Sequence, residues 1–263
     1  MKKIYKKIRI SLLCICFAPT EVLSDDRLKL PRDIKGIEIL VAAGASYDNT
    51  ADLGAKELME FSPTFALMTD RFYVDVHTVS YRFYPSEDTI LTIIGNQDPL
   101  PNESDIPAYL NIKSGESYDL GVIAEKQFGE YRLEAKVATD ITGTHNGMLF
   151  ELATGYDYNS DKSHFEVTLG TRYRNEKRNN YLYGVSTKES NSRLRSYEAE
   201  ADLTVFLHAN YTYEIYKNLG VTVGGTFESL SNTVKKSPRI KSNAQYKELE
   251  LFAGLIWQFS IYD

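Results

Sequence analysis

Four histidines, His77, His145, His164 and His208, are the side chains best suited to moving protons or holding a metal near neutral pH. None has a second ligand at metal spacing along the chain. His145 stands in the run Gly-Thr-His-Asn-Gly, where polar turn chemistry accounts for it more simply than a role as ligand or base. His208 falls mid-strand on a polar face, where a wall residue is the simpler account than a proton carrier. The serines at 186, 190, 192, 196, 229 and 231 lie in loop-like stretches with no histidine beside them, so no Ser–His pair is offered locally. The run Gly220-Val-Thr-Val-Gly224-Gly225 lacks the Lys-Ser/Thr of a phosphate loop and reads as a strand. The expectation is a protein with no catalytic residue, no cofactor and no metal.

The first 24 residues are a different text. Lys2, Lys3, Lys6, Lys7 and Arg9 precede an apolar run from Ile10 to Pro19, and Val22-Leu23-Ser24 precede Asp25-Asp26. Those are the charged, apolar and small-residue parts of a secretory signal, with cleavage expected after Ser24. Cys14 and Cys16 fall inside it, so the mature chain has no disulfide, thiol nucleophile or thiolate metal site. Leu13 and Ile15 stand where a lipoprotein signal needs a small residue. The expected organisation is a signal over 1–24, a periplasmic segment over 25–36 and one domain over 37–263.

Removing 1–24 takes 30 basic and 36 acidic residues to 25 and 35, a formal balance of −10. That balance argues against a nucleic-acid partner, which needs a basic face. Beyond the signal no apolar run is long enough for a transmembrane helix.

What recurs is period two. The C-terminal residues Leu249, Leu251, Ala253, Leu255, Trp257, Phe259 and Ile261 form an unbroken every-second-residue apolar row, although the mean hydropathy of the chain is −0.34. Similar rows run through Tyr118–Ala124, Tyr131–Val137, Met148–Tyr158, Phe165–Tyr173, Leu203–Tyr213 and Val221–Phe227. Segments 37–46, 56–68, 71–83 and 88–95 are further strands, with Pro63 marking an edge, bulge or interface. The count is about 12 strands, and no segment keeps a helical period.

Alternation alone suits a soluble two-sheet sandwich or a membrane barrel. Volume decides, because about eight strands already make an interior that side chains just fill. A 12-stranded closed antiparallel barrel encloses more than a dry core can occupy, so its apolar rows are expected to face lipid and its charges water. Strand lengths of about 10 residues and Tyr or Trp near the row ends agree. The expected lumen-facing residues are Glu134, Lys136, Glu151, Glu166, Arg172, Asp202, His208, Glu228, Glu248 and Glu250. Over the whole inner wall 12 acidic residues stand against four basic ones, Arg132, Lys136, Arg172 and Arg174, so an open lumen would favour cations.

A series of short motifs carries a family likeness: Asp140-Ile-Thr-Gly143-Thr-His145-Asn-Gly147, then Asn180-Tyr181-Leu-Tyr183-Gly184-Val185-Ser186, Tyr197, Ser237-Pro238 and Gly254-Leu-Ile-Trp-Gln-Phe259. In that order the series resembles the MipA/OmpV family of outer-membrane proteins, with good likeness from about 118 to 259. The resemblance implies a Gram-negative outer-membrane barrel, a non-enzymatic scaffold joining a murein hydrolase to a synthase, and no catalytic residues. Two departures are the extra Leu182 within Tyr181-Leu-Tyr183 and the four residues after Phe259.

Counting back from a periplasmic C-terminus, 47–55, 84–87, 159–162, 186–200 and 231–245 are expected outside the cell. The basic residues Lys188, Arg193, Arg195, Lys235, Lys236, Arg239 and Lys241 would there meet lipopolysaccharide. Segment 96–114 is expected in the periplasm, with Pro99, Pro101, Pro107, Tyr109 and Leu110 forming a docking loop for a murein enzyme. A small cation-preferring pore is the competing function.

Overall fold

The computed structural model describes residues 36–49, 58–98, 117–192, 194–240 and 247–261. Residues 1–35, where the signal and the periplasmic segment are expected, and the residues Pro99, Pro101, Pro107, Tyr109 and Leu110 of the expected docking segment lie outside these residues. Twelve antiparallel strands form a closed barrel in which each pairs with its sequence neighbours. They are β1 (Ile37–Asn49), β2 (Leu58–Met68), β3 (Phe72–Val74), β4 (Thr78–Ser86), β5 (Thr89–Asp98) and β6 (Ser117–Phe128), followed by β7 (Tyr131–Asp140), β8 (Met148–Asn159), β9 (Ser163–Arg174), β10 (Asp202–Tyr216), β11 (Leu219–Ser229) and β12 (Lys247–Ile261). The ring closes where β1 meets β12 in register from Ile37↔Ile261 to Asn49↔Leu249. Gly44 faces Gly254 across that seam, and a Cβ on Gly44 would approach the Gly254 Cα to 2.7 Å.

The two faces of the wall differ as hydrocarbon and water require. Leu120, Val122, Leu152, Leu169, Leu207, Leu251 and Leu255 point outward and are exposed, while Arg132, Glu151, Asp157, Glu166, Asp202 and Glu228 point inward and are buried. Aromatic rings gather at one rim: Tyr131 packs on Tyr156 at 5.3 Å, Trp257 stacks on Phe259 at 5.0 Å, and Lys217 lies over Tyr216. That is the placement of an interfacial girdle.

The segment 71–83, read above as one strand, is divided. Asp75 Oδ1 accepts from the amides of His77 and Thr78, turning the chain between β3 and β4. The division completes the count of 12. The three-residue β3 meets β2 only through Leu67↔Val74 and Met68↔Tyr73. Beyond those pairs β2 has no strand on that side among the described residues, and there Pro63, which has no N–H, costs no ladder bond.

Each strand except the three-residue β3 carries the chain from one rim to the other, which corrects three of the side assignments. Only β9 separates 160–162 from the long connection 175–201, so the two lie at opposite rims. The turns at 69–71, 87–88, 129–130, 160–162 and 217–218 share the rim of Ile37 and Ile261, and such short turns mark the periplasmic side. The 84–87 and 159–162 connections are therefore periplasmic. Asp98 pairs with Ser117 at the other rim, so the chain leaves and rejoins the described strands on the extracellular side and the periplasmic placement of 96–114 is reversed. At the periplasmic rim, the Lys126 ammonium at 2.5 Å and the Ser86 hydroxyl hold the Asp88 carboxyl well below the usual carboxylate range.

The outward Leu207 lies mid-strand. Leu207→Arg is expected to lower stability by about 2–4 kcal/mol in urea unfolding from phospholipid vesicles, whereas Lys136→Arg, on the inner face, changes it little.

Candidate functional site

Register brings lumen charges together that are far apart in sequence. Arg132 on β7 reaches across β8 to β9, and its guanidinium contacts Asp157 at 3.2 Å, Glu166 at 2.5 Å and the Thr168 hydroxyl at 2.8 Å, with Glu134 at 3.7 Å. Gly155 stands beside it, and a Cβ there would meet the guanidinium. Nearer the extracellular rim Arg172 bridges Glu151 and Glu228, while Arg174 binds Glu228 and lies 3.8 Å from Asp202. Thr204 donates to Glu228 at 2.7 Å, and Ser231 to Asp202 at 2.8 Å. Charges packed against one another on the inner wall are tolerated because each is paired and hydrogen-bonded.

The remaining members of the expected lumen set also lie on the inner face. Lys136 is half-buried opposite Glu151. His208 is buried, shares a 3.0 Å hydrogen bond with Thr226 and stacks on Phe252. Glu248 and Glu250 are half-buried on β12. Arg82 and Arg178 are buried charges absent from the sequence reading. Arg82 follows the same alternation in β4 and was legible; Arg178 comes from a short helix between strands, where period two has no force.

Asp157, His164 and Glu166 bring ligand atoms within 4.8 Å of one another, a grouping invisible to linear spacing because β8 and β9 create it. Arg132 already occupies both carboxylates, so the set is a neutralised ion cluster rather than a vacant cation cage.

Arg178 belongs to a folded cap at the extracellular rim. Helix α1 (Glu176–Tyr183) starts at Asn175, whose side chain accepts from the Arg178 amide, and α2 (Asn232–Lys236) starts at Ser231, which accepts from Val234. Tyr183, Ala199, Leu230, Val234 and Ile240 pack as a small core, joined by Leu182 and Tyr197. Tyr197 donates to the Thr233 carbonyl and Ser237 to that of Tyr183, both at 2.6 Å, and Arg239 reaches the carbonyl of Tyr181.

The His145 turn fastens this cap to the wall. Asp140 accepts from the Thr142 amide and hydroxyl and from the amides of His145 and Asn146, at 2.6–2.8 Å. His145 Nδ1 accepts from the Gly147 amide, and its ring lies 4.8 Å from that of Tyr181. A Cβ on Gly147 would come within 2.7 Å of Arg178, whose guanidinium binds Asp119 at 2.5 Å. The motifs that carry the family likeness between 140 and 238 thus converge on one device, a cap latched to β6 and β7.

Arg132→Met would leave buried Asp157 and Glu166 without their shared cation. The variant is expected to lose about 3–5 kcal/mol in the same unfolding assay, far more than substitution of an exposed arginine such as Arg71.

A family model described as MltA-interacting protein MipA matches residues 40–259. The putative outer membrane protein YiaT of Escherichia coli (strain K12) is 24% identical over 229 residues, covering 84% of this chain and 91% of that protein. The MltA-interacting protein of Escherichia coli (strain K12) is 28% identical over 109 residues, 41% of this chain and 44% of that one. Among solved structures, an outer membrane channel from Pseudomonas putida F1 aligns with TM-score 0.45 at 10% identity, over 89% of this chain and 98% of that one. The NanC porin aligns with TM-score 0.45 at 8% identity, over 82% and 98%. The chain is a member of the MipA family, an outer-membrane β-barrel protein.

Proposed function

We propose that the protein is a non-enzymatic scaffold that holds peptidoglycan-remodelling proteins, a murein hydrolase and a synthase, against the inner side of the outer membrane. The observation that carries the reading is the family match over 40–259, whose model bears the name of an MltA-interacting protein. The barrel's chemistry supports it: the buried arginines and carboxylates named above are engaged with one another, and the cap ties the extracellular loops to the wall. A barrel so cross-braced is a stiff platform.

A periplasmic partner meets the periplasmic rim. Its described turns present Asp70, Arg71, Glu87, Asp88, Glu130, Asp161, Lys162 and Lys217, and β1 begins beside them at Ile37. The extracellular end, where Lys188, Arg195, Lys235 and Lys236 lie, meets lipopolysaccharide phosphates instead. The second reading, a small cation-preferring pore, rests on the acidic excess of the inner wall, Glu248 and Glu250 included.

Two measurements test these readings. Barrel reconstituted in nanodiscs is expected to capture a purified lytic transglycosylase. Deleting 97–112 should leave capture intact, whereas Asp70→Lys, Asp88→Lys and Asp161→Lys together weaken it about tenfold or more. Absent capture would contradict the scaffold, and capture lost only with the 97–112 deletion would contradict the rim. In planar bilayers the scaffold reading predicts no conductance; stable cation-selective steps favour the pore.

A further inference from the structure

Across β4, β5 and β6 one inward-facing row joins Thr78, Asn96 and Asp119, which are direct cross-strand partners. Its continuation on β7 is Asp140. Asp140 is saturated by its turn, but the other three each keep a buried polar atom with no hydrogen-bond partner: Thr78 Oγ1, Asn96 Oδ1 and Asp119 Oδ1. Thr78 is 3% exposed and Asp119 1%. His145 Nε2 faces Asp119 Oδ1 at 4.0 Å, beyond hydrogen-bond reach. Buried polar atoms in folded proteins are nearly always paired, so three orphans in consecutive register point to partners from outside the chain.

The atoms define the chemistry of those partners. Asn96 Oδ1 and Asp119 Oδ1 only accept, while the Thr78 hydroxyl donates or accepts. The visitor must therefore bring at least two donors, spaced by the distance between adjacent strands, about 4.8 Å each. It need carry no charge. The second oxygen of Asp119 already binds Arg178 at 2.5 Å, so the row has no net charge to attract a cation. The hydroxyls of a sugar ring, each a donor and an acceptor, meet these terms.

We infer that Thr78, Asn96 and Asp119 form a saccharide-binding ledge on the lumen wall beneath the cap, selective for neutral, hydroxyl-rich ligands. Because Arg178 of the cap shares Asp119 with the ledge, occupancy and cap position are coupled. The site lies at the end of the barrel away from the periplasmic rim, so its failure would leave the scaffold reading standing.

The test uses the full mature chain in a polyoxyethylene detergent, which has no sugar head, with maltotriose and N,N′-diacetylchitobiose as probes in saturation-transfer NMR and calorimetry. At least one probe should bind saturably, at about 1 mM or below. The double variant Thr78→Val, Asn96→Ala should weaken it about tenfold or more while keeping heat-modifiable gel mobility, the sign of a folded barrel. Thr92→Val, at a neighbouring inward position on β5, should leave affinity unchanged. The ledge is refuted by no saturable binding of either probe, by unchanged affinity in the double variant, or by equal weakening in Thr92→Val.

Discussion

A strand edge left unpaired in hydrocarbon cannot satisfy its amides and carbonyls, and this constraint shapes the rest of the molecule. It requires that β1 find β12 across more than two hundred residues of chain, and the seam is in register from Ile37 to Asn49. Closure then separates two environments. Leucines and valines on the outer face lose nothing to lipid, while an interior too wide for a dry core must be filled with something else.

From β7 to β11 the filling is ionic, whereas beside the β1–β12 seam Leu40, Ala42, Ala66, Met68, Tyr73 and Ile256 pack as an apolar cluster on the inner face. Arginines on β7 and β9 lie across neighbouring strands from carboxylates on β8, β9 and β11, so each guanidinium reaches two or more acids. Such clusters contribute little net stability compared with an apolar core, but removing one member strands the others. Their effect is to brace strands against one another and fix register. The cap extends the same logic to the loops, since Arg178 places a charge from α1 on the Asp119 carboxylate of β6.

Much of this was legible in the sequence, for a physical reason. A lipid-facing wall imposes strict alternation, and alternation survives translation into one dimension. The outward row of β12 and the inward position of Glu228 or Asp202 follow from it directly. Rim assignment was legible too: alternating sides strand by strand back from Phe259 puts 159–162 with the short turns and 96–114 with the long loops, the reverse of the first assignment for both. Other features could not be read. Asp157, His164 and Glu166 meet through cross-strand register, which depends on turn geometry. The break between β3 and β4 rests on one Asp75 side chain. The cap rests on short helices whose small core is shared between two loops, so neither loop shows a period of its own.

The central claim is that apolar side chains face lipid and charged ones a wet interior. Spin labels placed singly from Leu249 to Ile261 in bilayer-reconstituted protein would test it through collision with oxygen and with a water-soluble nickel chelate. Odd-numbered positions should be oxygen-accessible and even-numbered ones should not, in strict alternation along the strand. A flat profile, or alternation in the opposite phase, would contradict the account.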